Sequence, residues 1–454
     1  MNFDQAWTFL NDLQFFKIKL GLDAMQTFLG RVGNPHEQLD FVHVGGTNGK
    51  GSVASTLLAI LAAAGYRVGL YTSPHLSDVR ERFRINDTYI PRKDFARLIS
   101  QIRDVLGEDQ ITYFECTTTL ALLWFAEQKV DLAIMEVGMG GRLDATNVIE
   151  PLVSVITNVS MDHEQYLGDT LAQVAAEKAG IVKPGVPVVS GVASDVSREV
   201  VEDTCAERHS PLYLLGRDFT GQEQPRVEQG EKGKGKIWDW SGWDGCCYQG
   251  LPLTMLGSYQ VGNAAMAVAA AQLLREKGLT IPEEKMRQGL ARTRWPGRLE
   301  SFVFRFDPAR HAKTLAVADK TRFLLDGAHN PAGVAALRQA LEEDFSFQRL
   351  ILVWGAMADK EITTTLATIA PLADTIIFTR PESERSARPE ELCAMLPPSC
   401  QARVTTAPDV ADALVMAAEC ADRDTDTLVC VAGSLYLVGR ARQLLLGELT
   451  HDPR

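Results

Sequence analysis

The stretch Gly46-Thr47-Asn48-Gly49-Lys50-Gly51-Ser52, entered directly from the apolar run Phe41-Val42-His43-Val44, constrains the fold of this chain more than any other feature. A short strand that delivers the backbone into a glycine-rich turn, with Ser52 to Ala64 reading as a helix, is the arrangement of a phosphate cradle. Glycines let successive N–H groups converge on phosphate oxygens, and the positive end of the helix points at the same anion. Thr47, Asn48, Gly49, Lys50, Gly51 and Ser52 are therefore the candidate ATP ligands, with Lys50 facing the β and γ phosphates and the Ser52 hydroxyl facing Mg²⁺. The order departs from the usual P-loop pattern, because Gly51 separates Lys50 from Ser52. A second glycine-lysine stretch, Gly230 to Lys236, lacks both the apolar strand before it and the apolar helix after it, and reads as a solvated loop.

Strands alternate with helices on both sides of a break. Strands are expected near Arg67–Tyr71, Val130–Val137, Leu152–Thr157 and Val186–Ser190, with helices near Thr117–Glu127 and Leu171–Ala179. Residues 216–250 interrupt the alternation and predict short antiparallel strands or an irregular insert, followed by helices near Val261–Glu276 and Glu283–Ala291. After Arg294-Trp295-Pro296-Gly297-Arg298, which reads as an interdomain joint, strands are expected near Phe323–Leu325, Leu350–Trp354, Thr375–Phe378 and Thr427–Val431. Helices near Ala332–Glu342, Ile362–Ala370, Val410–Cys420 and Leu435–Leu445 separate them. The pattern predicts an α/β protein: a P-loop domain with a mostly parallel sheet, residues 1–296, then a smaller Rossmann-like α/β domain, residues 297–454.

A length of 454 residues allows two or three domains at about 150 residues each. The formal charge of −12 argues against nonspecific nucleic-acid or membrane binding, so an anionic substrate must be met by local cations. Apolar runs such as Leu57–Ala64 are too short to span a bilayer, and the amino terminus lacks a signal pattern, so the cytoplasm is expected. The eight cysteines form no C-x-x-C and read as free thiols.

In open α/β sheets ligands sit beyond the carboxyl ends of strands. Glu136 ends one such strand and is a candidate Mg²⁺ carboxylate; the glycines after it do not form a dinucleotide fingerprint, since Leu143 stands where the last glycine should be. His163 and Asp162 follow another strand end, with Asp162 a supporting or solvent-facing carboxylate. Asp326, His329, Asn330, Ser434 and Tyr436 follow strand ends in the second half. The run Arg80-Glu81-Arg82-Phe83-Arg84 reads either as a substrate-facing array or as a solvated strand edge.

Taken in order, HVGGTNGKGS, GLYTSPHL, TYFE, EVGMGGRLDATN, MDHEQYLGDT, EKAGIVKPG, WPGRLE, LLDGAHNP and AGSLY closely resemble folylpolyglutamate synthase and dihydrofolate synthase, relatives of the Mur peptidoglycan ligases. The resemblance runs from about Leu20 to Leu445. It implies ATP-dependent amide formation between dihydropteroate, or the glutamate tail of a tetrahydrofolate, and L-glutamate through an acyl phosphate, by a cytoplasmic monomer. It implies that Ser52, Ser73 and Glu136 hold one Mg²⁺, that His163 helps hold a second, and that Lys178 carries a carbamate. Asn263, Arg298, Asp326 and His329 match ATP-contacting positions, Arg82 matches a family arginine on the substrate side, and Ser434 and Tyr436 match part of the glutamate site. Lys50, His163, Lys178, Asp326 and His329 are the resulting catalytic candidates.

A bifunctional synthase is favoured, with a single-activity folylpolyglutamate synthase beside it. Two further readings share the P-loop. A Mur-type amino acid ligase would have an amino-terminal domain where only about 40 residues precede the loop. A nucleotide switch would need a guanine-reading N-K-x-D pattern.

Overall fold

The computed structural model describes residues 1–13, 21–162, 164–225, 235–304, 320–381, 385–421 and 426–447. Eight strands build the first sheet: β1 (Phe41–Gly45), β2 (Val68–Tyr71), β3 (Phe83–Ile85), β4 (Thr88–Tyr89), β5 (Leu132–Glu136), β6 (Val153–Ile156), β7 (Val188–Ser190) and β8 (Leu212–Leu214). Their order is β4-β3-β2-β5-β1-β6-β7-β8, parallel throughout except for the β2-β3-β4 edge. Every residue of β1, β2, β5, β6 and β7 is buried, as expected of strands covered on both faces.

The helix Lys50–Ala63 packs against the helices Tyr259–Glu276 and Glu283–Arg292. It is apolar around nearly its whole circumference because it lies between the sheet and those two helices, and no polar face is needed. It begins two residues before the expected Ser52, so Lys50 is on its first turn.

The insert forms an antiparallel sheet of β9 (Thr220–Glu223), β10 (Lys236–Ser241) and β11 (Cys247–Leu253), one of the two outcomes expected for it. The Gly230–Lys236 loop lies outside the described residues up to residue 234, but its last member is not solvated. Lys236 opens β10 with its side chain 3% exposed, paired with Glu223 at 2.8 Å and with Asp344 at 3.1 Å. A lysine at a strand start can bury its stem when carboxylates meet its tip, a condition set by residue 344 far along the chain.

The second sheet, β12 (Glu300–Val303), β13 (Arg322–Leu325), β14 (Arg349–Trp354), β15 (Thr375–Phe378), β16 (Arg403–Thr406) and β17 (Thr427–Ala432), has the order β12-β13-β17-β14-β15-β16 and is parallel except for β12. Asp344, just past the helix Pro331–Glu343 of this half, accepts from Gly257 N–H at 2.9 Å as well as from Lys236, and so pins the insert to the second sheet's layer. Lys236→Met leaves that buried carboxylate without its cation and should lower stability by about 3–5 kcal/mol in denaturant titration. An unchanged midpoint would mean that the pair contributes nothing net. Among the described residues no helix is long and apolar enough to cross a membrane.

Candidate active site

Register decides what meets at the first sheet's carboxyl edge. Val44 is level with Glu136, Tyr71 with Met135 and Gly45 with Ile156, so the segments after β1, β2, β5 and β6 emerge together. The glycine loop, Ser73, Glu136 and Thr157-Asn158 are thereby gathered at one edge.

The loop is held from β6. Asn158 Oδ1 accepts from Asn48 N–H at 2.8 Å, Thr157 Oγ1 donates to Asn48 C=O at 2.7 Å, and Thr47 Oγ1 donates to Ser160 C=O at 3.1 Å. Gly49 turns with φ +85°, and a Cβ there would stand 2.6 Å from the Asn263 amide oxygen. The Gly51 that interrupts the usual pattern has a separate cause: a Cβ on it would lie 2.5 Å from the Trp295 ring, which the interdomain joint lays across the start of the helix. Ser52 Oγ accepts from Gln260 Nε2 at 3.2 Å, and Asn263 Nδ2 donates to Gln260 Oε1 at 2.9 Å.

Two ammonium groups share the loop. Lys50 Nζ donates to the carbonyls of Gly46 and Thr47 at 3.1 and 3.0 Å, and Lys178 Nζ donates to Gly46 C=O at 3.2 Å. Burial, and then the charge of Lys50, push Lys178 down to about 7. Glu136 shows the opposite shift. Burial pushes its carboxyl up to about 7 although Lys50, the Ser73 N–H at 3.2 Å, Arg298 and Arg82 all favour the anion. A buried carboxylate so poorly compensated, held by the Ser73 N–H, is an oxygen donor suited to a hard divalent cation. No cluster of three or more His, Cys, Asp or Glu that could hold a metal ion occurs among the described residues. His163 lies outside the described residues.

The arginine run is not a solvated edge. Arg80 and Arg82 are buried, and Arg82 Nε donates to His75 Nδ1 at 2.9 Å while its guanidinium lies 5.3 Å from the Tyr113 ring centre. Burial first, and then Arg82, hold His75 at about 3, so it stays a neutral acceptor. The GGRLDATN segment owes its shape to Asp144, which accepts from the N–H groups of Gly138, Met139 and Thr146 at 3.0, 2.9 and 3.0 Å.

The second half meets this edge directly. Asn330, the cap of the helix Pro331–Glu343, donates through Nδ2 to Asn48 Oδ1 and to Asp162 Oδ2, both at 3.2 Å, and Lys360 Nζ pairs with Asp162 Oδ1 at 3.0 Å. Asp162 thus bridges the halves and does not simply face solvent. Asp326 follows β13 with both oxygens engaged, by Leu299 N–H and Ala328 N–H at 2.9 Å each, an arrangement that fixes the joint to the second sheet. Its carboxyl is raised by burial against the pull of Arg298. His329 Nδ1 lies 2.8 Å from Gly327 C=O, which assigns the proton to Nδ1 and leaves Nε2 an acceptor; burial lowers its pKa to about 4.

Glu136, Ser73, Gly51, Trp295, Arg298 and Leu435 line one cleft between the halves. Leu435 belongs to the AGSLY segment. Beside it, Ser434 is buried with its hydroxyl accepting from Tyr436 N–H at 3.2 Å as a helix cap, while Tyr436 is 52% exposed. Asn158, Lys360, His75 and Trp295 also belong to the site and are not among the residues expected from sequence. Asn158 lies just past a strand end and was open to the strand-end rule; nothing local marks Lys360.

A P-loop sheet whose nucleotide edge is closed by a second parallel sheet is the architecture of the Mur ligase class. Residues 44–271 match the Mur ligase middle domain and residues 312–435 the Mur ligase glutamate ligase domain. The chain is 32% identical over 439 residues to the dihydrofolate synthase/folylpolyglutamate synthase of Bacillus subtilis, covering 95% of this chain and 96% of that one. It is 34% identical to a probable bifunctional folylpolyglutamate synthase/dihydropteroate synthase of Haloferax volcanii, spanning 97% of this chain but 50% of that longer relative. The structure of Mycobacterium tuberculosis folylpolyglutamate synthase complexed with ADP superposes with a TM-score of 0.86 at 30% identity, over 100% of this chain and 99% of that one. The chain belongs to the folylpolyglutamate synthase/dihydrofolate synthase family and is an ATP-dependent ligase.

Proposed function

We propose that the chain joins L-glutamate to dihydropteroate and to the glutamate tail of tetrahydrofolate, using ATP, with residues 1–296 and 297–454 as its two domains. The observation that carries this reading is the junction of Asn330 and Lys360 with Asn48 and Asp162, because it sets a second domain against the phosphate loop where an acyl phosphate must be shielded from water. The bifunctional form is supported by the paired activity in the name of the Bacillus subtilis relative.

A carboxylate attacking the γ phosphate meets like charge, which Lys50, Arg82 and Arg298 offset. The carboxylate oxygen bonds to phosphorus, ADP leaves, and the glutamate amine then displaces phosphate from the acyl carbon. That amine must be neutral and held close to the carbonyl. Neutral His329 orients it through Nε2 as an acceptor, and Asp326, which also fixes the joint through Leu299 and Ala328 N–H, keeps acceptor capacity on each oxygen. Ser52, Ser73 and Glu136, with His163, are the residues that would hold Mg²⁺, which when bound would offset charge on the transferring phosphoryl group. Lys178, pushed down to about 7, keeps a neutral amine fraction that adds CO₂ and releases a proton, turning a cation into an anion on the phosphate side.

ADP release with Mg²⁺, ATP and L-glutamate tests the reading, with dihydropteroate in one series and tetrahydrofolate in the other. Release in both is expected. Release with one alone would reduce the claim to a single activity, and release with neither would overturn it.

A further inference from the structure

The positive charges that act on Glu136 in the interdomain cleft are those of Lys50, Arg298 and Arg82, whereas Tyr89 in the same cleft is acted on by Arg84 and Arg442. Leu76, Glu81, Arg84 and Tyr89 line that cleft from the first domain and Arg442 from the second. Arg84, on β3, lies over the Tyr89 ring with its guanidinium carbon 5.6 Å from the centroid, which fixes its plane. Its Nη2 donates to Asn86 C=O at 3.3 Å, and its buried Nε has no hydrogen-bond partner among the described residues. The nearest carboxylate is that of Asp87, 3.8 Å away and fully exposed.

Arg442 sits on the last described helix, Leu435–Leu446, and hydrogen-bonds through Nε alone, to Glu300 at 2.9 and 3.1 Å. Glu300 also accepts from Gly297 N–H at 2.9 Å, so this arginine is tied to the joint. Its charge acts on both Glu81 and Tyr89 across the cleft. Glu81 makes no direct ion pair with either arginine among the described residues. Its carboxylate already accepts from the N–H groups of Leu76, Ser77 and Asp78 at 2.6, 3.2 and 3.2 Å.

The cleft therefore joins Glu136 to two guanidinium forks, one from each domain, that keep donors without an acceptor among the described residues. Of the substrates named above, only the incoming amino acid must bring an amine toward the phosphate loop while carrying two carboxylates. We propose that Arg84 and Arg442 clamp those carboxylates and so select L-glutamate as the amine donor. This assignment rests on the ligase reading above. Planar forks suit carboxylates bidentately, and because they come from different domains the amino acid itself draws the two walls together.

The test is ADP release against glutamate concentration for the wild type, Arg84→Met, Arg442→Met and Arg442→Lys. Each Met variant should raise the KM for glutamate by roughly tenfold or more, with the KM for ATP held within about twofold, and should narrow the preference for glutamate over glutamine. Arg442→Lys keeps the charge opposite Glu300 but loses the fork, so an intermediate rise is expected, and it carries the test if Arg442→Met fails to fold. An unchanged glutamate KM in folded variants, or a KM for ATP rising in parallel, overturns the clamp. A wild type without glutamate-dependent ADP release would instead overturn the ligase reading beneath it.

Discussion

Lys50→Met should lower glutamate-dependent ADP release by about 10²- to 10³-fold while leaving the protein folded. The fold does not depend on the ammonium, because the loop it touches is held independently by Asn158, Thr157 and Ser160. What disappears is the cation nearest the loop carbonyls of Gly46 and Thr47, on the first turn of the helix Lys50–Ala63. A second loss accompanies it. Lys50 helps push Lys178 down, so its removal lets Lys178 rise toward its ordinary value and reduces the neutral amine available for CO₂. Arg at position 50 is not expected to restore the rate, since a planar fork does not replace a compact point charge under the loop. Steady-state ADP release and a thermal melt on the same preparation check both halves. Activity within tenfold of the wild type would remove Lys50 from the phosphate site.

The phosphate edge was legible because strand, glycine loop and helix are contiguous in sequence, and each has a period or composition that points the same way. The same holds for Glu136, Asp326 and Ser434, each just past an apolar strand. The joint was legible as a break but not as a contact. That Trp295 lies on Gly51 depends on a separation of more than two hundred residues, and only the folded chain explains why the loop carries an extra glycine. Elements on the periphery were missed for a different reason. The helix Phe3–Asp12 begins with a reciprocal capping box, Asn2 Oδ1 accepting from Gln5 N–H at 2.9 Å and Gln5 Oε1 from Asn2 N–H at 3.0 Å. The N-x-x-Q spacing is a helix-start signal, but no apolar strand precedes it to mark a strand-loop-helix unit. β12 and β16 are short and mix polar with apolar residues, and β8 is apolar but only three residues long. Lys236 and Lys360 lay beyond sequence reasoning altogether, since a lone lysine carries no sign of which distant carboxylate will meet it.

The rate at limiting Mg²⁺ should fall as pH drops through about 7, and Glu136→Gln should abolish that limb along with most of the activity, by about 10²-fold. The sign follows from the direction of the shift. Burial raises the Glu136 carboxyl to about 7, so the anion that faces a cation exists above that pH and is lost below it. A divalent cation competes with the proton for the same oxygens, and adding Mg²⁺ should therefore move the limb to lower pH. Lys178 also lies near about 7, and its carbamate too forms only from the neutral amine at the upper side of that range. The two limbs separate by their response: the Glu136 limb moves with Mg²⁺ and not with bicarbonate, whereas the Lys178 limb moves with bicarbonate and persists in Glu136→Gln. His329, held at about 4, stays neutral across this whole window and adds no third limb. A profile in Glu136→Gln that retains the Mg²⁺-sensitive limb would mean that the cation is bound elsewhere, and that the buried carboxylate at the end of β5 serves the fold alone.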